Sequence, residues 1–206
     1  SEILADETIT YMEENKDSKE PLFMFCAFNA PHDPRQAPKE YVDMYDVDKI
    51  SLPQNFLPVH PLGEQMKSGK NLRDEQLAPF PRTHYSVQKH RQEYYALITH
   101  MDAQVGRIIE ALKRNGLDKN TLIVFASDNG CAGYIGVKDM EKKGHFPSYI
   151  YRGYKSDIYE GGHRIPLIVS WKGKYGKETN NSLVSLIDFY ATFAQMLNHN
   201  LETEEA

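Results

Sequence analysis

Three short apolar runs, each abutting a cluster of polar and turn-forming residues, set the narrowest limits on how this chain can fold. Residues 22–28 (LFMFCAF) run into Asn29-Ala30-Pro31-His32-Asp33-Pro34, and residues 121–126 (TLIVFA) run into Ser127-Asp128-Asn129-Gly130. The third is entered from the polar side, Lys155-Ser156-Asp157-Ile158-Tyr159-Glu160-Gly161-Gly162-His163-Arg164-Ile165-Pro166 leading into Leu167-Ile168-Val169. Apolar runs this short, bounded by turn residues, read as strands. Their continuous rather than alternating character predicts strands covered on both faces, the habit of a parallel sheet between helices.

Helical periodicity supplies the covering layers. Leu4, Ala5, Thr8, Ile9 and Met12 fall on one helical face, which ends in the polar stretch 15–19. Tyr95, Ile98, Met101, Val105, Ile108 and Leu112 recur at steps of three and four and predict a long helix over 87–115, with Gly116 as its cap. Asp102 lies one position from that stripe and reads as a residue hydrogen-bonded on the helix face rather than an active-site acid. Residues 167–170 give a further strand and 186–197 a closing helix with Phe189, Phe193, Met196 and Leu197 inward. Strands alternating with helices define an α/β class, a mostly parallel sheet flanked by helices.

Two stretches are irregular. Between His32 and Pro81, prolines at 34, 38, 53, 58, 61, 79 and 81 break every candidate helix except a turn near 39–44. So long an irregular segment in a compact domain shapes a binding mouth, and Tyr41, Tyr45, Ile50, Leu52, Phe56 and Leu57 carry too much apolar surface for a disordered linker. Residues 134–153, with Lys138, Lys142, Lys143, His145, Tyr149 and Tyr151, read as a loop over the site, and the tail 202–206 as frayed.

Composition excludes several classes of function. At 206 residues, 40% hydrophobic and 26% charged, the chain can build one sizeable core, so residues 1–206 read as one domain or most of one. A net charge of -5 with scattered basic residues carries no nucleic-acid footprint, and no apolar stretch reaches membrane-helix length. Ser1-Glu2 does not open a signal peptide. Two cysteines, Cys26 and Cys131, make no disulfide framework and read as buried free thiols.

Asp128 and Asn129 place an anionic and a neutral oxygen donor at a strand exit, where open α/β sheets collect their chemistry. Such hard donors suit Ca2+, or Mg2+, better than zinc; taken alone, the same residues also make an ordinary β-turn. The other histidines, His60, His84, His90, His100, His145, His163 and His199, show no HxH or HExxH spacing.

Taken in order, the three polar blocks resemble those of the type I, formylglycine-dependent sulfatases of the alkaline-phosphatase-like superfamily, and the likeness extends over essentially the whole chain. The resemblance implies an alkaline-phosphatase-like fold and, position by position, a site. His32 in Pro31-His32-Asp33-Pro34 matches the histidine that touches sulfate, Asp128 and Asn129 match ligands of the divalent cation, and Lys155 ahead of Tyr159-Glu160-Gly161-Gly162 matches the lysine on a sulfate oxygen. His163 and Arg35 are further candidates for substrate contact. Glu160 and Arg164 are expected to pair or orient the loop, with Gly161-Gly162 admitting positive φ.

One departure is as informative as the match. The family's formylglycine arises from Cys or Ser in a Cys/Ser-x-Pro/Ala-x-Arg signature, and neither Cys26-Ala27-Phe28 nor Cys131-Ala132-Gly133 fits it. The paired aspartate ligands and Gly-Lys-x-x-His segment that precede the His32 block in the family are likewise missing. The expectation is therefore the middle and later part of an incomplete sulfatase catalytic domain, with the nucleophile upstream and little turnover by these residues alone. The implied reaction is calcium-assisted hydrolysis of an aryl or carbohydrate sulfate ester, on a sulfated small molecule or glycan, in a periplasmic, secreted or lysosomal setting. A phosphoesterase or phosphomutase on the same fold, and a noncatalytic sulfatase-like remnant, are the alternatives; the sequence does not fix the oligomeric state.

Overall fold

The structure is a computed structural model that describes residues 1–53, 56–59, 61, 74–132, 141, 146 and 148–201. Of the earlier readings, those on His60, Lys138, Lys142, Lys143, His145 and the tail 202–206 lie outside the described residues. The chain divides into two compact units, Ser1–Lys172 and Gly173–Ala206.

In the first unit, α1 (Glu2–Asn15) and α3 (His84–Arg114) pack together, with α2 (Lys39–Asp43) a single short turn between them in sequence. The apolar face read from the sequence of α1 is the face it buries: Met12, 1% exposed, sits with Ala111 and Leu112, and Ile9, Met24, Ile108, Leu117 and Ile123 close around them. Burial of a methionine side chain contributes on the order of 2 kcal/mol, whereas the flanking Arg107–Asp6 and Arg114–Glu13 ion pairs, about half exposed, add little.

Helix α3 begins three residues before its predicted start because Thr83 and Ser86 form a reciprocal capping box, each side-chain oxygen accepting the other's backbone N–H at 3.0 Å. It ends where expected. Asn115 closes the last turn, Gly116 takes φ +70° just beyond it, and Lys113 and Arg114 complement the helix dipole. Asp102 departs from its reading: it is exposed and makes no hydrogen bond or ion pair among the described residues. Side chains of α3 instead hold the proline-rich stretch. Gln92 Nε2 donates to the carbonyls of Val42 and Tyr45, Gln88 Nε2 to Ile50, and Arg91 Nη1 to Ser51. Carbonyls on either side of the turn Val47–Lys49, those of Tyr45, Ile50 and Ser51, thereby gain donors without regular structure.

The strands differ from expectation in pairing and in cover. Strand β1 (Leu122–Ala126) and β2 (Leu167–Trp171) form an antiparallel pair, with Val124 opposite Val169; the ladder among the described residues is thus antiparallel, although the α/β class stands. Residues 22–28 are extended but join no ladder among the described residues. They alternate: Met24 faces the core and the Cys26 thiol lies 3.3 Å from the Thr8 hydroxyl, while Phe25 is 87% exposed. A continuous apolar run announces two covered faces, and only one is covered here by the described residues. Short helix α4 (Glu160–His163) precedes β2. No described helix is long and apolar enough to cross a membrane.

In the second unit, α5 (Asp188–Met196) stacks Phe189 on Phe193 at 5.5 Å and buries Ala194. Met196 and Leu197, expected inward, are exposed.

Candidate active site

At the exit of β1 the chain enters a weave of backbone hydrogen bonds joining three segments. Ser127 N–H donates to Pro166 O at 3.4 Å, Gly130 N–H to Gly162 O at 2.9 Å, and Lys155 N–H to Cys131 O at 2.7 Å, while Gly161 N–H donates to Arg152 O at 2.8 Å. The strand-exit turn, the lysine turn and α4 are thus tied together by main chain alone. Glycine is needed at the crossings: a Cβ on Gly130 would collide with the carbonyl of Gly161, one on Gly161 with that of Gly153, and one on Gly162 with that of Asp157. Gly161 and Gly162 therefore act by close approach rather than by the positive φ expected of them; positive φ falls instead at Gly153, +87°.

Lys155 occupies the second position of a tight turn in which Asp157 N–H donates to Tyr154 O at 2.8 Å. Ser156, next in the turn, sits at φ +77°, a conformation that costs an L-residue about 1–2 kcal/mol. The Asp157 carboxylate accepts the Tyr154 N–H at 3.0 Å and locks the turn. Tyr154 anchors it below: the ring is buried, and its hydroxyl is pushed up to about 12, first by burial and then by its hydrogen bond with Glu141. Fixed backbone with an exposed lysine at its apex is a means of presenting a cation.

Asp128 is exposed, and neither its carboxylate nor the Lys155 ammonium makes a hydrogen bond or ion pair among the described residues. Asn129 Nδ2 donates to the adjacent Gly130 carbonyl at 2.9 Å, which orients the amide and leaves Oδ1 as an acceptor. Two hard oxygens fit a calcium- or magnesium-like ion in kind. In number they fall short of its six or more ligands, and the described residues gather no cluster of three acidic, histidine or cysteine groups. Burial pushes the half-buried Cys131 thiol up, so it stays protonated and is a poor nucleophile.

The remaining candidates are placed elsewhere or engaged. His163 Nε2 lies 2.8 Å from Ile158 O, within its own loop. Arg164 pairs with Glu160 at 2.6 Å, as expected, and also covers the Tyr151 ring at 4.5 Å; Arg152 covers Tyr159 at 3.7 Å. His32 Nδ1 donates to Asp33 O at 2.9 Å. Arg35 is 16% exposed; Nη1 pairs with Asp33 and Nη2 donates to His90 Nδ1 at 2.9 Å. No hydrogen bond or ion pair among the described residues joins His32 or Arg35 to the Asp128–Lys155 weave. Sequence reading passed over His90, which carries no motif spacing and lies 55 residues from its partner.

Comparison with known proteins agrees with the resemblance. A family model described as Sulfatase matches residues 1–199. An uncharacterized sulfatase, YdeN, of Escherichia coli (strain K12) is 30% identical over 194 residues, 93% of this chain and 26% of that protein. An N-acetylgalactosamine-6-O-sulfatase of Bacteroides thetaiotaomicron is 37% identical over 113 residues, 53% of this chain and 22% of that protein. Among solved structures, Ps i-CgsB in complex with k-i-k-neocarrahexaose is similar with a TM-score of 0.64 and 26% identity, over 98% of this chain and 35% of that one. The chain thus spans 22–35% of the length of these relatives.

Proposed function

Given that the chain belongs to the sulfatase family, we propose that it forms part of a sulfuric ester hydrolase in which Lys155, Asp128 and Asn129 serve one anion-binding face. The observation that carries this reading is the 2.7 Å hydrogen bond from Lys155 N–H to Cys131 O, which brings the lysine turn against the strand-exit turn two residues from Asn129.

The chemistry follows from charge. A sulfate ester under attack gathers negative charge on its nonbridging and leaving oxygens, and preorganised positive groups are worth most when they do not have to move. Lys155, on a turn locked by Asp157, supplies such a charge. His32 donates its Nδ1 proton to Asp33 O, which leaves Nε2, once protonated, to donate to a sulfate oxygen or to deliver a proton to the leaving alkoxide. Asp128 and Asn129 would hold the divalent cation together with ligands from outside the described residues; when bound, that cation supplies Lewis-acid polarisation of the sulfate. Domain assignment follows the same logic: residues 1–206 form a middle and later part of the catalytic domain, and the formylglycine nucleophile lies outside them. A carbohydrate sulfate is the favoured substrate class, supported by relatives named for N-acetylgalactosamine 6-sulfate and solved with a neocarrahexaose.

Two measurements test the reading. Titration of the 206-residue chain with sodium sulfate should shift the amide resonances of Asn129, Gly130 and Lys155 together, and Lys155→Ala should abolish the shared response; separate or absent responses sink the common face. Hydrolysis of 4-nitrophenyl sulfate with calcium should stay at background for these residues, and clear turnover would place the nucleophile among them after all.

A further inference from the structure

Around His32 the side chains form a relay that the substrate-contact role expected of Arg35 does not explain. Asp33 sits at its centre. Its main-chain carbonyl accepts the His32 Nδ1 proton at 2.9 Å, and its carboxylate accepts Arg35 Nη1. Nη2 of the same guanidinium donates to His90 Nδ1 at 2.9 Å, across from the loop to the first turns of α3. Arg35 Nε is buried with no partner among the described residues, so the guanidinium is committed to this internal geometry rather than offered to solvent.

Because an arginine only donates, His90 Nδ1 must be the lone-pair nitrogen, its proton must reside on Nε2, and the ring must be neutral. Protonating Nδ1 would set two N–H donors, both cationic, against each other at hydrogen-bond distance. We infer that Arg35 and His90 are positioning residues: neutral His90 seats Arg35 on the Asp33 carboxylate, and this holds the Asp33 carbonyl where it fixes the tautomer and orientation of His32. The inference rests on the proposed role of His32 and deepens it by naming what sets its orientation.

The charges facing His90 agree with the geometry. Burial and the Arg35 charge, with a smaller contribution from Arg82, hold its pKa below the ordinary 6.5, against the opposing pull of Glu93 and Asp33. A histidine whose folded-state pKa is depressed stabilises the fold fully above its ordinary value, and that contribution is lost as pH falls from there through the folded-state value. Acidification therefore releases Arg35 first and His32 with it.

Ring-nitrogen NMR of the 15N-labelled 206-residue chain tests the coupling across about pH 5 to 8, the range in which histidines titrate. Near neutrality His90 should show a bare Nδ1 and His32 a protonated one. On acidification the His32 ring nitrogens and the amides of His32, Asp33 and Arg35 should follow the inflection of His90. His90→Gln, whose amide oxygen accepts from Arg35 without titrating, should keep the His32 tautomer and erase the His90 inflection; His90→Phe should leave His32 averaging between tautomers. The inference is overturned if His32 ignores the His90 inflection in the unsubstituted chain, or if His90→Gln and His90→Phe behave alike. Should the phenylalanine variant not fold, the unsubstituted chain and the glutamine variant still decide. The readout is a ring tautomer, so its failure leaves the sulfate-binding result untouched, and loss of sulfate binding with this coupling intact counts only against the catalytic reading.

Discussion

The Lys155 turn and the His32 loop are both polar clusters beside apolar segments, yet they are held by different means. Around Lys155 the fixing bonds are main-chain to main-chain, made possible by glycines at 130, 161 and 162 that let carbonyls pass within contact of Cα. Around His32 the fixing groups are side chains, Asp33, Arg35 and His90, whose bonds depend on charge and tautomer. Main-chain bonds have no protonation state to lose between pH 5 and 8, whereas a histidine does. The contrast teaches that one half of the proposed site is set by steric necessity and the other by chemistry that pH can switch.

The largest effect is expected from adding one carbon to the weave. Gly161→Ala drives Cβ into the Gly153 carbonyl, and since backbone cannot swing aside as a side chain does, the cost should be about 3 kcal/mol, at the upper end of overpacking penalties. Hydrogen exchange at Gly130 and Lys155 should accelerate while the amide of His32, bonded to Asn29 O, keeps its protection; equal loss at both places would erase the distinction. Acid should do the reverse. Lowering pH through and below 6.5 titrates His90 and should weaken protection of the His32 amide, with Gly161 and Gly162 unaffected over the same window. The smallest effect belongs to Ser156→Gly, which removes the left-handed strain at φ +77° and should raise stability in urea denaturation by at most about 1 kcal/mol, because glycine returns part of the gain as unfolded-state entropy.

Features governed by neighbours in sequence were legible before the fold was known. The long helix could be read from its three-four periodicity and Gly116, and the polar cluster of residues 155–166 from its place ahead of an apolar run, because each is specified within a few turns of chain. The Arg35–His90 contact was not legible: it spans 55 positions and joins residue types that carry no periodic signal. Nor was the manner in which Gly161 and Gly162 act, since adjacent glycines serve positive φ and close approach equally well. The antiparallel sense of β1 and β2 was not legible for a related reason. A five-residue apolar run reports that something covers it, and says nothing of the direction in which its partner travels.

The alternation along residues 22–28 has a practical corollary. An extended segment that is greasy on its open side, with Phe25 outermost, and whose peptide groups enter no ladder among the described residues, is a template for any other strand it meets. Preparations of these 206 residues should consequently grow stickier with concentration, and a lysine at position 25 should keep them dispersed at concentrations where the parent clouds.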